Sequence, residues 1–271
     1  MLTLLLGACV GLVLGLTGAG GGILVIPALT LGLGWSVTQA TPIALLAVGS
    51  AALIGAAHGL RHGLVRYKAA ATMACVGWLV APAGLYLAEQ MPGRVLAAIF
   101  AGVMLVVAVR MYGQARQARQ ASTDACTDGP LQRNCMLDPA TGRLDWNARC
   151  LATLAYIGAA SGFLTGLLGV GGGFFIVPAF RKFSDVRMHG VVATSLMVVA
   201  LVSLGTLGHR LSQGFVLSAQ ALWFTGAGVA GMIAGRFMAP NISGRLLQRL
   251  FSMLCVVVGL LMLGKAYFGV S

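Results

Sequence analysis

GLTGAGGGILVIPA occupies residues 15–28, and GLLGVGGGFFIVPA occupies residues 166–179. A shift of 151 positions superimposes the two stretches without a gap, and 8 of the 14 positions are identical. A glycine triplet, four apolar residues and a proline have therefore been used twice, each time at the end of an apolar segment. Glycine-rich interruptions at corresponding places in two apolar halves are how many membrane transporters build a binding site at the interface between repeats.

Composition names the solvent. The chain is 58% hydrophobic and 9% charged, whereas charged residues make up about 25% of a soluble globular domain. Apolar stretches near 41–60, 69–88, 95–112, 150–168, 190–208, 216–237 and 246–264 carry almost no charge. Each approaches the roughly 20 residues that span a bilayer core, so the fold class is an all-α polytopic membrane protein. The first residues lack a basic leader and a small-residue cleavage site, and 1–17 are expected to be a retained structural segment. The net charge of +12 sits in short clusters at the ends of apolar spans, where topology and anionic headgroups account for it. No basic face interleaved with aromatics is present, so the partner is the lipid bilayer and not nucleic acid. The six cysteines are mostly scattered through spans and give no disulfide framework.

The repeat runs beyond the triplets. At the same shift His58 falls on His209, Gly63 on Gly214, Val65 on Val216, Ala83-Gly84 on Ala234-Gly235, Gly93-Arg94 on Gly244-Arg245 and Phe100 on Phe251. Ala40-Thr41-Pro42 matches Ala193-Thr194-Ser195 only with a two-residue gap. Three divisions follow: an N-terminal transmembrane repeat (1–112), a polar linker (113–148) and a C-terminal transmembrane repeat (149–271). The linker holds four of the six acidic residues, Asp124, Asp128, Asp138 and Asp145.

Each half is read as a glycine-tipped re-entrant hairpin, a broken helix, followed by three transmembrane helices. The second arm of the first hairpin, residues 23–34, covers only about 18 Å as helix, too little for a hydrocarbon core of about 30 Å. A hairpin that returns to its own side leaves three crossings per half, and an odd number makes the repeats inverted. Basic residues test this. In the inverted arrangement all but Arg94, Arg210 and Lys265 of the 18 lysines and arginines fall on the cytoplasmic side, as the positive-inside rule requires. Both termini are then periplasmic, the 113–148 linker is cytoplasmic, and the glycine tips can meet near the midplane.

The paired GxGGG-x4-P motifs, Ala-Thr-Ser-Leu at 193–196, and the histidine with its basic, glycine-containing turn (His58–Gly63, His209–Gly214) resemble the sulfite exporter TauE/SafE family. The resemblance covers nearly the whole chain apart from the linker, which is longer than such proteins usually need. It implies transport, by default export, of small sulfur-containing anions such as sulfite and organosulfonates across the bacterial inner membrane. The first half departs from the pattern with Pro42 where the second has Ser195, so the halves are not expected to supply equal hydroxyl ligands.

A helix that starts just after a glycine triplet leaves backbone amides without partners, and in hydrocarbon such donors must bind something. A sulfite or sulfonate oxygen suits them, helped by the positive end of the helix dipole. Gly20, Gly21, Gly22, Gly171, Gly172 and Gly173 are therefore the expected anion cradle; the alternative is that they serve only close helix packing. Pro27 and Pro178 leave open whether the return helix starts at the glycines or at the proline after an extended Ile23–Ile26 and Phe174–Val177. Thr41, Thr194 and Ser195 open the next spans, and their hydroxyls either donate to the anion or bond back to a carbonyl. His58 and His209, with Arg61 and Arg210 beside them, lie far along the following helix near opposite surfaces, where they serve either as gate or vestibule residues or, the favoured reading, in ordinary interfacial packing.

Outside the linker the only carboxylates are Glu89 and Asp185, which argues against a cation carrier. No Ser-His-Asp order, HExxH run or carboxylate pair lies in the spans, so no catalytic residue and no enzyme is expected. Cys126 and Cys135, spaced C-x8-C beside Asp128 and Asp138, match no strong zinc pattern, and neither metal nor cofactor is assigned. The rival reading is a membrane interaction or scaffold protein whose glycines only pack. The substrate partner is a small anion, and the sequence leaves a homodimer open.

Overall fold

The computed structural model describes residues 1–120, 135, 147–184, 188–212, 219–238 and 244–268. Ten α-helices account for nearly all of them. In the first half these are α1 (Leu2–Thr17), a 3-10 segment (Gly18–Leu24), α2 (Val25–Gly32), α3 (Val37–Arg61), α4 (Tyr67–Gln90) and α5 (Gly93–Gln120). The second half repeats the order with α6 (Ala148–Leu168), α7 (Gly173–Phe183), α8 (Met188–Ser212), α9 (Ala219–Met238) and α10 (Gly244–Phe268). Among the described residues the one β contact is an isolated bridge between Cys135 and Ser184. Six helices (α3, α4, α5, α6, α8 and α10) are long and apolar enough to cross a membrane. The seventh apolar stretch, 216–237, supplies α9, whose glycines and Arg236 dilute its hydropathy. Burial is inverted relative to a soluble protein only at the rim: Leu79, Phe237, Tyr156 and Met253 stand exposed, as lipid-facing side chains do.

Helix directions follow from which residues touch. Gly7, Gly11 and Gly15 of α1 lie against the carbonyls of Phe224, Gly228 and Met232 in α9, so the two helices run parallel. Gly158, Gly162 and Gly166 of α6 lie in the same way on the carbonyls of Met73, Gly77 and Ala81 in α4. The shift of 151 relates these two interfaces residue for residue, a glycine-every-fourth pattern that lets backbones approach as in other membrane helices. Gly231 and Gly235 of α9 face the Ala8 and Leu12 carbonyls, and Gly84 of α4 faces that of Phe163. By contrast α3 and α8 run antiparallel, with Gly59 on Ala193, Gly55 on Leu196 and Gly49 on Ser203. α5 and α10 are antiparallel too: Ser252 Oγ donates to the Ala108 carbonyl (2.9 Å) and Gly259 faces Leu105.

Two further contacts fix the hairpins. Gly77 and Glu89 of α4 meet Val202 and Arg210 of α8, so α4, α6 and α8 all point one way. Ala51 of α3 clusters with Met232 of α9 and, one turn on, Gly55 faces Arg236, which aligns α1, α3 and α9. Because α1 and α3 agree in direction, the 3-10 turn and α2 must bring the chain back, and Gly32 at the end of α2 packs on Leu6 near the start of α1. In the second half α7 returns likewise. A disulfide between Cys135 and Cys150, at the start of α6, and a bond from the Cys135 amide to the Phe183 carbonyl (3.1 Å) draw its end to the start of α6. This disulfide corrects the expectation that the cysteines form none: Cys135 pairs with Cys150, and not with Cys126, which lies outside the described residues along with Asp124, Asp128, Asp138 and Asp145. The return helices also begin before their prolines. Pro27 sits in the first turn of α2, where its missing N–H is not needed, so Ile23–Ile26 and Phe174–Val177 are wound and not extended.

Candidate functional site

The two glycine tips meet. A methyl group placed on Gly22 would lie 3.1 Å from the Val170 carbonyl oxygen and 3.2 Å from the Val48 side chain. One placed on Gly171 would lie 2.9 Å from Val48, 2.8 Å from Val199 and 3.0 Å from Ser203 Oγ. Val48 and Val199 differ by 151 positions, and each is midway along a helix of 25 residues, α3 or α8. These are the most enclosed of the six spans, with 61% and 72% of their apolar windows buried. The same shift places Thr41 beside Gly169 and Val192 beside Gly18. Thr41 thus corresponds in space to Val192, and the gapped match to Thr194 does not hold.

The tips differ in backbone. The first, including Gly20 and Gly21, is wound as a 3-10 segment whose turns consume its own amides, ending with the Val25 amide on the Gly22 carbonyl. In the second, Gly171 (φ 76°) and Gly172 (φ 62°) are left-handed, a region that a side chain resists. No backbone carbonyl among the described residues accepts from the amides of Val170, Gly171, Gly172, Gly173 or Phe174. Those of Phe175 and Ile176 turn back to the Gly172 carbonyl (3.0 and 3.2 Å). The glycines are also needed sterically. A methyl on Gly21 would fall 2.5 Å from Leu14 Cα, and one on Gly172 would fall 2.7 Å from the Ser161 carbonyl oxygen.

The hydroxyls singled out from the sequence spend their protons inside their own helices. Thr41 Oγ1 donates to the Val37 carbonyl (2.8 Å), Thr194 Oγ1 to Gly190 (2.7 Å) and Ser195 Oγ to Val192 (2.8 Å). Thr194 Oγ1 accepts the Arg66 amide as well (3.1 Å), which ties α8 to the start of α4. One hydroxyl that sequence reasoning passed over does otherwise. Ser203 is fully buried, and its Oγ, beside Gly171, has no hydrogen-bond partner. Its counterpart in the first half is Ala52, so the repeat carries no signal for it.

His58 and His209 each lie ten residues, about 15 Å, beyond the tip-facing valines, at opposite ends of the bundle. Both are exposed, as is Arg61. The His58 ring packs on that of His62 (centroids 4.5 Å apart), and Arg210 pairs with Glu89. His209 lines a cavity of about 200 Å³ with Trp78, Leu79, Pro82 and Thr206. His58 and His209 thus lie away from the glycine tips.

Paired hairpins whose tips abut the centres of two buried spans are the architecture of a carrier, and comparison with known proteins agrees. A family model described as Sulfite exporter TauE/SafE matches residues 3–262, which include both tips and every helix against which they rest. The chain belongs to the sulfite exporter TauE/SafE family. It is a multi-pass membrane transporter and not an enzyme. A "Probable membrane transporter protein" of Xylella fastidiosa (strain 9a5c) is 29% identical over 273 residues, covering 96% of this chain and 94% of the relative. Another of the same name, from strain Temecula1 / ATCC 700964, is 27% identical over 266 residues, with the same coverage. No solved structure matches. In this TauE/SafE transporter the two glycine tips rest on each other and on the middles of α3 and α8.

Proposed function

We propose that this TauE/SafE transporter exports a small sulfur-containing anion, such as sulfite or an organosulfonate, across the bacterial inner membrane, binding it where the glycine tips meet. The observation that carries the reading is the second tip. Five consecutive amides without a backbone acceptor, at the start of α7 and level with the midpoints of α3 and α8, form a concentration of donors that an anion satisfies. The repeats are inverted in this reading. Antiparallel pairing of the equivalent helices α3 with α8 and α5 with α10 supports a pseudo-two-fold axis in the membrane plane. The tips then enter from opposite faces and lie near the midplane, with both termini periplasmic and the linker cytoplasmic.

The test is flux of radiolabelled sulfite from proteoliposomes of the purified chain, preceded by a thermal-shift screen against sulfite, sulfate, thiosulfate and two-carbon sulfonates. At least one of these anions should raise the unfolding temperature and be transported. If none of them stabilises the protein or crosses the membrane, the glycines serve packing alone and the scaffold reading replaces this one.

A further inference from the structure

We infer that Ser203 is the side-chain ligand of the transported anion, and that the anion is held by the second half alone, between the Ser203 hydroxyl of α8 and the amides of Val170–Phe174 at the second tip. The inference rests on the reading of the tips as the anion site and adds a residue, a polarity and an asymmetry to it.

Hydroxyls within membrane helices ordinarily bond back to a carbonyl three or four residues earlier. Thr17, Thr165, Thr206 and Thr225 do so here, as do the three hydroxyls discussed above. Ser203 is the exception beside the tips: it is buried, unpartnered, and its Oγ lies 3.0 Å from where a Gly171 side chain would begin. A buried hydroxyl without a partner is costly to keep unless something occupies its hydrogen-bonding capacity. The unpaired amides of the second tip are donors only, and the neighbouring side chains at Gly171 are Val48 and Val199. This combination suits a compact oxyanion with several acceptor oxygens on one centre, such as the SO3 group shared by sulfite, thiosulfate and sulfonates. The first half offers no equivalent: Ala52 replaces the serine, and the corresponding glycines are wound into the 3-10 segment.

Thermal unfolding of the full-length chain in detergent, titrated with sulfite and separately with thiosulfate, tests this, with proteoliposome KM as the second readout. Ser203→Ala should raise the apparent Kd and KM roughly 10-fold or more, the effect of losing one hydrogen bond to a charged group. Its unfolding temperature without anion should be unchanged or higher, because an unpartnered buried hydroxyl has been removed. Thr225→Ala, which removes a back-bonded hydroxyl in α9, should bind as the wild type does. Wild-type binding with Ser203→Ala within twofold of it overturns the role of Ser203 and leaves the transport reading standing. A Ser203→Ala protein that fails to fold overturns it as well, since the hydroxyl would then be structural. If the wild type itself neither binds nor transports these anions, the transport reading falls and this inference with it.

Discussion

At the scale of single residues, the hydrogen bond a hydroxyl already makes decides what else it can do. Thr194 gives its proton to the Gly190 carbonyl and accepts the Arg66 amide, so both functions of the oxygen are used in holding α8 to the turn before α4. Thr194→Val should therefore cost stability, about 1 kcal/mol for the lost bonds, read as a lower unfolding temperature, while the KM for the transported anion stays within twofold. A large rise in KM with unchanged stability would return Thr194 to the binding site. Ser195→Ala should be milder still, because one back-bond to Val192 is all that is lost. The sequence could place these residues near the start of a span but not tell a ligand from a back-bonded hydroxyl, since both uses need the same side chain at the same depth. Ser203 was illegible for the opposite reason. Nothing in its neighbourhood marks it until the missing partner is seen.

Between elements, the tightest constraints are the α1–α9 and α4–α6 interfaces, where glycines press on carbonyls of the neighbouring helix. A methyl group on Gly11 or Gly162 cannot be accommodated without separating the backbones. Gly162→Ala should destabilise by about 1–3 kcal/mol, as overpacking does, and Gly11→Ala by a similar amount because the 151-residue repeat makes the interfaces equivalent. Gly102→Ala in α5 and Gly264→Ala in α10 meet nothing within 4 Å and should be neutral or slightly stabilising, since alanine favours helix over glycine. Unfolding temperatures of the four variants check this, and equal losses at all four would show that the glycines act through propensity and not through contact. Most of this architecture was readable in the chain. The triplets, their shift and the shortness of the second arm lead to two returning hairpins, and Gly32 on Leu6 shows the first of them closing. The glycine-every-fourth pattern at 7, 11, 15 and 158, 162, 166 was equally present, yet 39 glycines in 271 residues hide such spacings until contacts single them out. The disulfide was not readable, because Cys135 and Cys150 are brought together by the return of α7 to the start of α6, a tertiary event with no local signature.

For the whole molecule, sidedness and driving force are linked. Lys265 Nζ donates to the Thr30 carbonyl at the end of α2 (2.9 Å), which joins the last turn of α10 to the outer end of the first hairpin. Cys135–Cys150 joins the linker to the outer end of the second. Lys265 and Cys150 therefore lie at opposite ends of the bundle, and in the proposed topology the basic-residue bias puts the end that carries Cys150 inside. A phosphatase fusion at Ser271 should be active and a green fluorescent protein fusion at Asp128 should fluoresce, and in the reducing cytosol the buried Cys135 and Cys150 should be recovered as thiols that are alkylated once the protein is denatured. An active phosphatase at Asp128 would reverse the orientation and agree with a bond that persists in the periplasm. With the linker inside, an anion leaving the cell moves with the membrane potential. A monovalent anion uncompensated by any other ion gains roughly 2.3 kcal/mol per 100 mV, inside negative, about 50-fold in concentration ratio. The proposed site offers it the amides of the second tip and the Ser203 hydroxyl of α8, and His58 and His209 stand about 15 Å away along their helices. Among the described residues the proposed site then has no proton relay, and export should be electrogenic and survive a collapsed pH gradient. Proteoliposomes carrying a potassium–valinomycin potential and no pH gradient should move labelled sulfite outward, and those with a pH gradient and no potential should not. Flux that follows the pH gradient and ignores the potential would overturn this and bring the histidines of α3 and α8, His58, His189 and His209, into the mechanism.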